Sequence, residues 1–185
     1  MKEKYIELME KALSAYTDEH IQRYFNDVKT NGLTEHGFPR LTANIGILMA
    51  HGRRKDLMPI FMEIMEVCCD MFLRPHTPKG TGNEFSVREI ICCMYELEKA
   101  NAVEEEHLLR WKQKISRIIP ETCYNVIVKS ETDRITNWAI FGAVSEYARV
   151  HRTAECGDSV GRRSGLQGVL QRRNSSEKAS GLPAI

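Results

Sequence analysis

The chain has 185 residues, 42% of them hydrophobic and 28% charged, which is enough for one domain with a sizeable core and excludes a chain disordered throughout. A formal net charge of +1 leaves no basic excess of the kind a phosphate-tracking surface carries, so nucleic acid and membrane are both set aside as partners. The opening residues, MKEKYIELMEKAL, lack the continuous apolar run of a secretory signal, and no stretch approaches the roughly 18 apolar residues of a spanning helix, so the expected location is cytoplasmic.

In chain order, apolar spacing predicts helix almost throughout and an all-α fold. Tyr5, Met9, Leu13, Tyr16, Ile21, Tyr24, Phe25 and Val28 lay one stripe along a single amphipathic helix from Lys2 to Lys29, ended by Asn31-Gly32. The next helix, LTANIGILMAHG from Leu41, is apolar nearly all round and stops at Gly52, a residue suited to a helix C-cap. Asp56 to about Leu73 is amphipathic again, with Leu57, Ile60, Phe61, Ile64, Met65, Cys68 and Phe72 on one stripe. Past the loop RPHTPKGTG, a helix begins between Asn83 and Ser86, where Ser86-x-x-Glu89 fits a capping box. Glu104 to Ile118 is amphipathic, with acidic residues in its first turn and basic ones in its last, and Pro120 closes it. YNVIVK, Tyr124 to Lys129, reads as a short extended connector. The helix from Ile135 to His151 is apolar on nearly every face, and such a helix must be covered on all sides.

Amphipathic and buried helices therefore alternate, and the buried ones start near 41, 86 and 135, a spacing of roughly 45 to 50 residues that predicts helical hairpins repeated in space. A closed double ring and an open α-solenoid both produce this pattern. The near-absence of a polar stripe on Leu41 to Met49 and Ile135 to Tyr147 favours the ring, a partial (α/α) toroid over residues 1–151 with helix 135–149 as an inner wall.

From Arg152 onward the character changes. Ten of the last 34 residues are Gly or Ser, none is aromatic, and six Lys or Arg face three acidic residues. A basic binding tail, a disordered tail without a role and an out-of-frame translation are the three readings. The last is preferred, because the third buried helix lacks the amphipathic partner that follows the other two.

Four of the six cysteines form adjacent pairs, Cys68-Cys69 and Cys92-Cys93. Neighbouring helical residues point about 100° apart, so a pair cannot present both sulfurs to one tetrahedral ion. Free core thiols in a reducing compartment are expected, a metal site built from one Cys of each pair being the alternative. The six histidines show no HxH or HExxH spacing, and neither metal nor cofactor is expected.

In a ring of hairpins the loops entering the inner helices gather at one end, so polar residues at those starts are the site candidates. HGFPRLTANIG offers His36, Phe38, Arg40, Thr42 and Asn44. GNEFSVRE offers Asn83, Glu84, Phe85, Arg88 and Glu89, and DRITNWAIFG offers Asp133, Arg134, Asn137 and Trp138. Each mixes an aromatic ring with charged or amide groups, as suits a sugar. Glu84, Glu89 and Asp133 are the carboxylates positioned for acid and base work on a glycosidic bond, with Arg40, Asn44, Arg88, Asn137 and Trp138 to hold the substrate. Structural roles compete: Asn137 and Ser86 as helix caps, Trp138 as core, Arg88 and Glu84 as an (i, i+4) ion pair.

FPRLTANIGILMAHGRRKDLMPIFMEIMEVCCD, NEFSVREIICCMYELE and TNWAIFGAVSEYAR together resemble the N-terminal part of bacterial proteins of the six-hairpin (α/α)-toroid glycosidase superfamily, nearest to heparinase II/III-like members. The resemblance implies a hydrolase or lyase acting on an oligosaccharide or polysaccharide, longer in its complete form. Lyases of that kind use Tyr, His and Asn or Arg, and Asn44, Asn137, Arg40 and Arg88 occupy suitable helix starts. Three hairpins cannot close a ring of six, so the implied state is an inactive fragment that self-associates through exposed inner helices. The rival reading is a non-enzymatic α-solenoid or helical-bundle interaction module, and a third is a terpenoid- or lipid-processing toroid with an apolar cleft.

Overall fold

The break in the first long stripe falls at Thr17. In the computed structural model, which describes residues 2–31, 37–74, 83–124 and 136–153 (the side chains of 83 and 136–139 excepted), the expected single helix is two, α1 (Lys2–Leu13) and α2 (Asp18–Asn31). The Thr17 hydroxyl accepts the backbone N–H of His20 at 3.3 Å, and Asp18 and Glu19 fill the first turn of α2. Thr17 is thus an N-cap inside what periodicity alone reads as one helix. The turn leaves Tyr16 and, on α1, Tyr5 largely in solvent, while Ile6, Met9, Leu13, Ile21, Phe25 and Val28 carry the burial.

The remaining elements are α3 (Gly37–Ala50), a 3-10 turn (Lys55–Leu57), α4 (Met58–Phe72), α5 (Asn83–Lys99), α6 (Glu105–Ser116), α7 (Pro120–Cys123) and α8 (Thr136–Arg152). The fold is all-α: the described residues hold eight α-helices and no strand. YNVIVK lies outside them except for Tyr124. Two helices end as left-handed caps demand. Gly52, at φ 75°, donates to the Met49 carbonyl at 2.9 Å while Arg53 donates to Leu48 at 2.9 Å. Asn101, at φ 48°, repeats the arrangement after α5, with Ala102 donating to Leu97 at 3.0 Å. Pro120 opens α7 from its first turn, where its missing N–H costs nothing.

Helix α3 packs most extensively on α5, and the two run parallel: Arg40 meets Glu89, Gly46 meets Cys93 and His51 meets Glu96 in succession. Gly46 makes the approach possible, since a Cβ there would lie 2.3 Å from Cys93 Sγ and 2.8 Å from the Phe61 ring. Helix α4 lies antiparallel behind α3, and α6 runs beside α4. Glu66 ties that pair, accepting from Arg110 Nε at 2.7 Å, Trp111 Nε1 at 2.9 Å and Lys114 Nζ at 2.6 Å. Trp111 is fully buried, edge-on to Phe61. With Phe25, Phe38, Ile45 and Leu48 these side chains form the centre of the core, each large apolar group contributing about 1.5–3 kcal/mol.

Helix α8 departs from the expectation of an inner wall covered on every side. It packs along α5 and buries Gly142, Ser145, Glu146 and Arg149, with Thr153 buried just past its end, while Ile140, Ala143, Val144 and Tyr147 face solvent. Its Glu146–Arg149 pair is inside and its Ile140, Val144 and Tyr147 row outside, while Phe141 and Ala148 are partly buried.

Candidate functional site

The buried side of α8 builds a closed polar cluster. Glu146 and Arg149 stand one turn apart, Arg149 Nε donating to Glu146 Oε2 at 2.8 Å and Nη2 to Oε1. Arg149 Nη1 donates to the Ser116 carbonyl at 2.8 Å, occupying one of the terminal acceptors that α6 leaves unmatched. The Tyr124 hydroxyl donates to Glu146 at 3.3 Å, and Ser145 Oγ donates to the backbone carbonyl of Glu84 in the first turn of α5. Burial, then the Glu146 charge, pushes the Tyr124 hydroxyl well above its ordinary value. Burial also opposes the Arg149 charge, but the Glu146 hydrogen bonds outweigh it and raise that group. Glu146 and Arg149 are only 6% and 5% exposed, so the cluster holds α8 against the ends of α5, α6 and α7 and admits no substrate.

The residues proposed from sequence divide around this cluster. Glu84 is fully buried, and a general acid must reach the bond it protonates. Glu89 is mostly covered and paired with Arg40 at 3.1 Å, so the first and second helix starts are joined by an ion pair rather than separated by a cleft. Arg88 does not pair with Glu84; its guanidinium lies 4.6 Å over the Phe141 ring, which itself stacks on Phe85. Asn44 is half-buried in α3, Phe38 packs on Phe25 and Tyr24, and Thr42 is buried with its hydroxyl on the Phe38 carbonyl. Ser86 caps nothing, because α5 begins a turn earlier at Asn83 and carries Ser86 into its buried side. His36, Asp133 and Arg134 lie outside the described residues, as do the side chains of Asn83, Asn137 and Trp138.

The two cysteine pairs differ in burial. Cys68 and Cys69 are both buried on α4, while Cys93 points inward from α5 and Cys92 outward. Burial pushes the Cys68 and Cys123 thiols up to about 12, and Cys69 and Cys93 also rise, so these sulfurs stay protonated at neutral pH. Cys156 lies outside the described residues.

Two surface features remain. An open groove on α2 is lined by Ala15, Tyr16, His20, Arg23, Tyr24 and Asp27, which is the mixture of rings and charged groups sought at the helix starts, found instead on the first stripe. The second is the outer face of α8, where Ile140 is 57% exposed, Val144 45% and Tyr147 60%, aligned at helical spacing with the Tyr147 ring against His151. No helix among the described residues is long and apolar enough to cross a membrane.

No family model, curated protein or solved structure matches this chain.

Proposed function

We propose that this chain is a non-enzymatic helical interaction module, built from α-solenoid-like hairpins, that binds a partner helix along the outer face of α8. The observation that carries this reading is the inversion of α8. A surface helix ordinarily hides its apolar stripe and shows its polar one. Here Glu146 and Arg149 are inside, and Ile140, Val144 and Tyr147 are outside. Contiguous apolar surface of this kind marks sites of association, and an i, i+4, i+7 row is the imprint that an amphipathic helix matches. The sequestered carboxylates argue in the same direction: Glu84 is out of reach and Glu89 is engaged by Arg40.

The second reading, a fragment of a carbohydrate-active hydrolase or lyase of the toroid kind, draws support from the α2 groove, where Tyr16 and Tyr24 offer ring faces beside Arg23, His20 and Asp27. On that reading the outer face of α8 would meet the next hairpin of a ring. Titrating fluorescent amphipathic helical peptides and uronic-acid oligosaccharides into the full chain separates the two. The interaction module binds peptide and ignores sugar. Saturable sugar binding that is lost in Tyr16→Ala, with no peptide binding, reverses the assignment.

A further inference from the structure

The edge of the α8 face carries a charge that the face itself lacks. Phe141 and Arg152 lie on the side of α8 turned toward α5, flanking the row of Ile140, Val144 and Tyr147. Arg88 sits over the Phe141 ring at 4.6 Å, and Arg152 over the Tyr95 ring at 4.0 Å. Among the described residues neither guanidinium has a carboxylate within salt-bridge distance. The neighbouring acidic residues of α5 are engaged by other cations, Glu89 by Arg40 and Glu96 by Lys2. An apolar row is therefore bordered by two arginines held in place by ring stacking, with planar donor edges suited to carboxylates.

We propose that the occupant of this face is an amphipathic helix with an acidic edge, seating Leu- or Ile-type side chains on Ile140, Val144 and Tyr147 and carboxylates on Arg88 and Arg152. This deepens the interaction-module reading and rests on it. Charge separates this occupant from the two nearer at hand. A second copy would bring the same pair of arginines to the contact. The chain's own segment 154–185 is itself basic in sequence, five Lys or Arg against three acidic residues, and carries no acidic excess to match them.

The test uses two synthetic helical peptides with the same leucine row, one edged with Glu and one with Lys, followed by fluorescence anisotropy against the full chain. The Glu-edged peptide is expected to bind at least roughly threefold more tightly at low salt, with the preference fading as salt screens the edge. Arg88→Gln with Arg152→Gln removes the preference at unchanged helicity, and Val144→Lys weakens both peptides. Equal binding of the two peptides, or tighter binding of the Lys-edged one, overturns the acidic occupant and leaves the docking face standing. Self-association abolished by Val144→Lys, without peptide binding, assigns the face to a second copy. Peptide binding that appears only once residues 154–185 are removed assigns it to the chain's own C-terminal segment, and either result overturns the inference. Absence of both peptide binding and self-association overturns the interaction-module reading as well.

Discussion

Gly46→Ala tests the closest helix contact in the molecule. The new methyl would stand 2.3 Å from Cys93 Sγ and 2.8 and 2.9 Å from two carbons of the Phe61 ring, all well inside van der Waals contact. Neither neighbour has room to retreat: Cys93 and Phe61 are both fully buried, and Phe61 is backed by the edge of Trp111. Overpacking of this kind costs about 1–3 kcal/mol, and two simultaneous clashes on immobile groups put the cost near the upper end. Replacing a mid-helix glycine by alanine returns about 1 kcal/mol of helix propensity. The expected net loss is about 1–2 kcal/mol, read as a lower urea midpoint with an unchanged slope. Adding Cys93→Ala removes the nearest obstructing atom, so the double variant should show a favourable coupling beyond the sum of the single changes. A Gly46→Ala protein as stable as the parent, or more so, would refute the parallel approach of α3 and α5.

Two further outcomes follow from the charged groups. Arg149→Met strands the Glu146 carboxylate in a buried setting and should cost about 3–5 kcal/mol, whereas Glu146→Leu combined with Arg149→Met should cost far less; urea unfolding of the three proteins measures both. For Glu66, burial acts to raise the carboxyl, but hydrogen bonds from Lys114, Arg110 and Trp111 outweigh it and hold the group below its ordinary 4.5. A depressed folded-state value stabilises the fold above the unfolded-state value and loses that contribution as pH falls through the folded one. Glu66→Gln should therefore cost about 1 kcal/mol at pH 7, and the gap to the parent should close on acidification below 4.5; a gap that is constant with pH contradicts the ion-pair account.

The alternation of apolar stripes made the helices legible, because burial on one face leaves a 3.6-residue imprint whatever the partner is. Gly52 was legible as a cap for an equally local reason, its freedom at positive φ. Thr17 was harder to read: a cap inside an unbroken stripe changes no periodicity, and only its position ahead of Asp18-Glu19 hints at a helix start. Ser86-x-x-Glu89 misled in the opposite way, since its spacing is also found inside a helix that has already begun. The polar cluster stayed hidden because Ile135 to Tyr147 reads as apolar all round, and Glu146 and Arg149, one turn apart, look like an ordinary surface pair. Which face of a helix is buried is decided by its neighbours, and nothing in the composition of α8 reports that the face carrying its charges is the inner one.

Docking on the outer face of α8 is tested most directly by methyl-resolved NMR of the full chain titrated with the Glu-edged peptide. The prediction is that the methyl resonances of Ile140 and Val144 move together and saturate, while those of Ile45 and Leu48 in the buried α3 do not. Shifts confined to residues lining the α2 groove, or no shift at Ile140 and Val144 at saturating peptide, would contradict it.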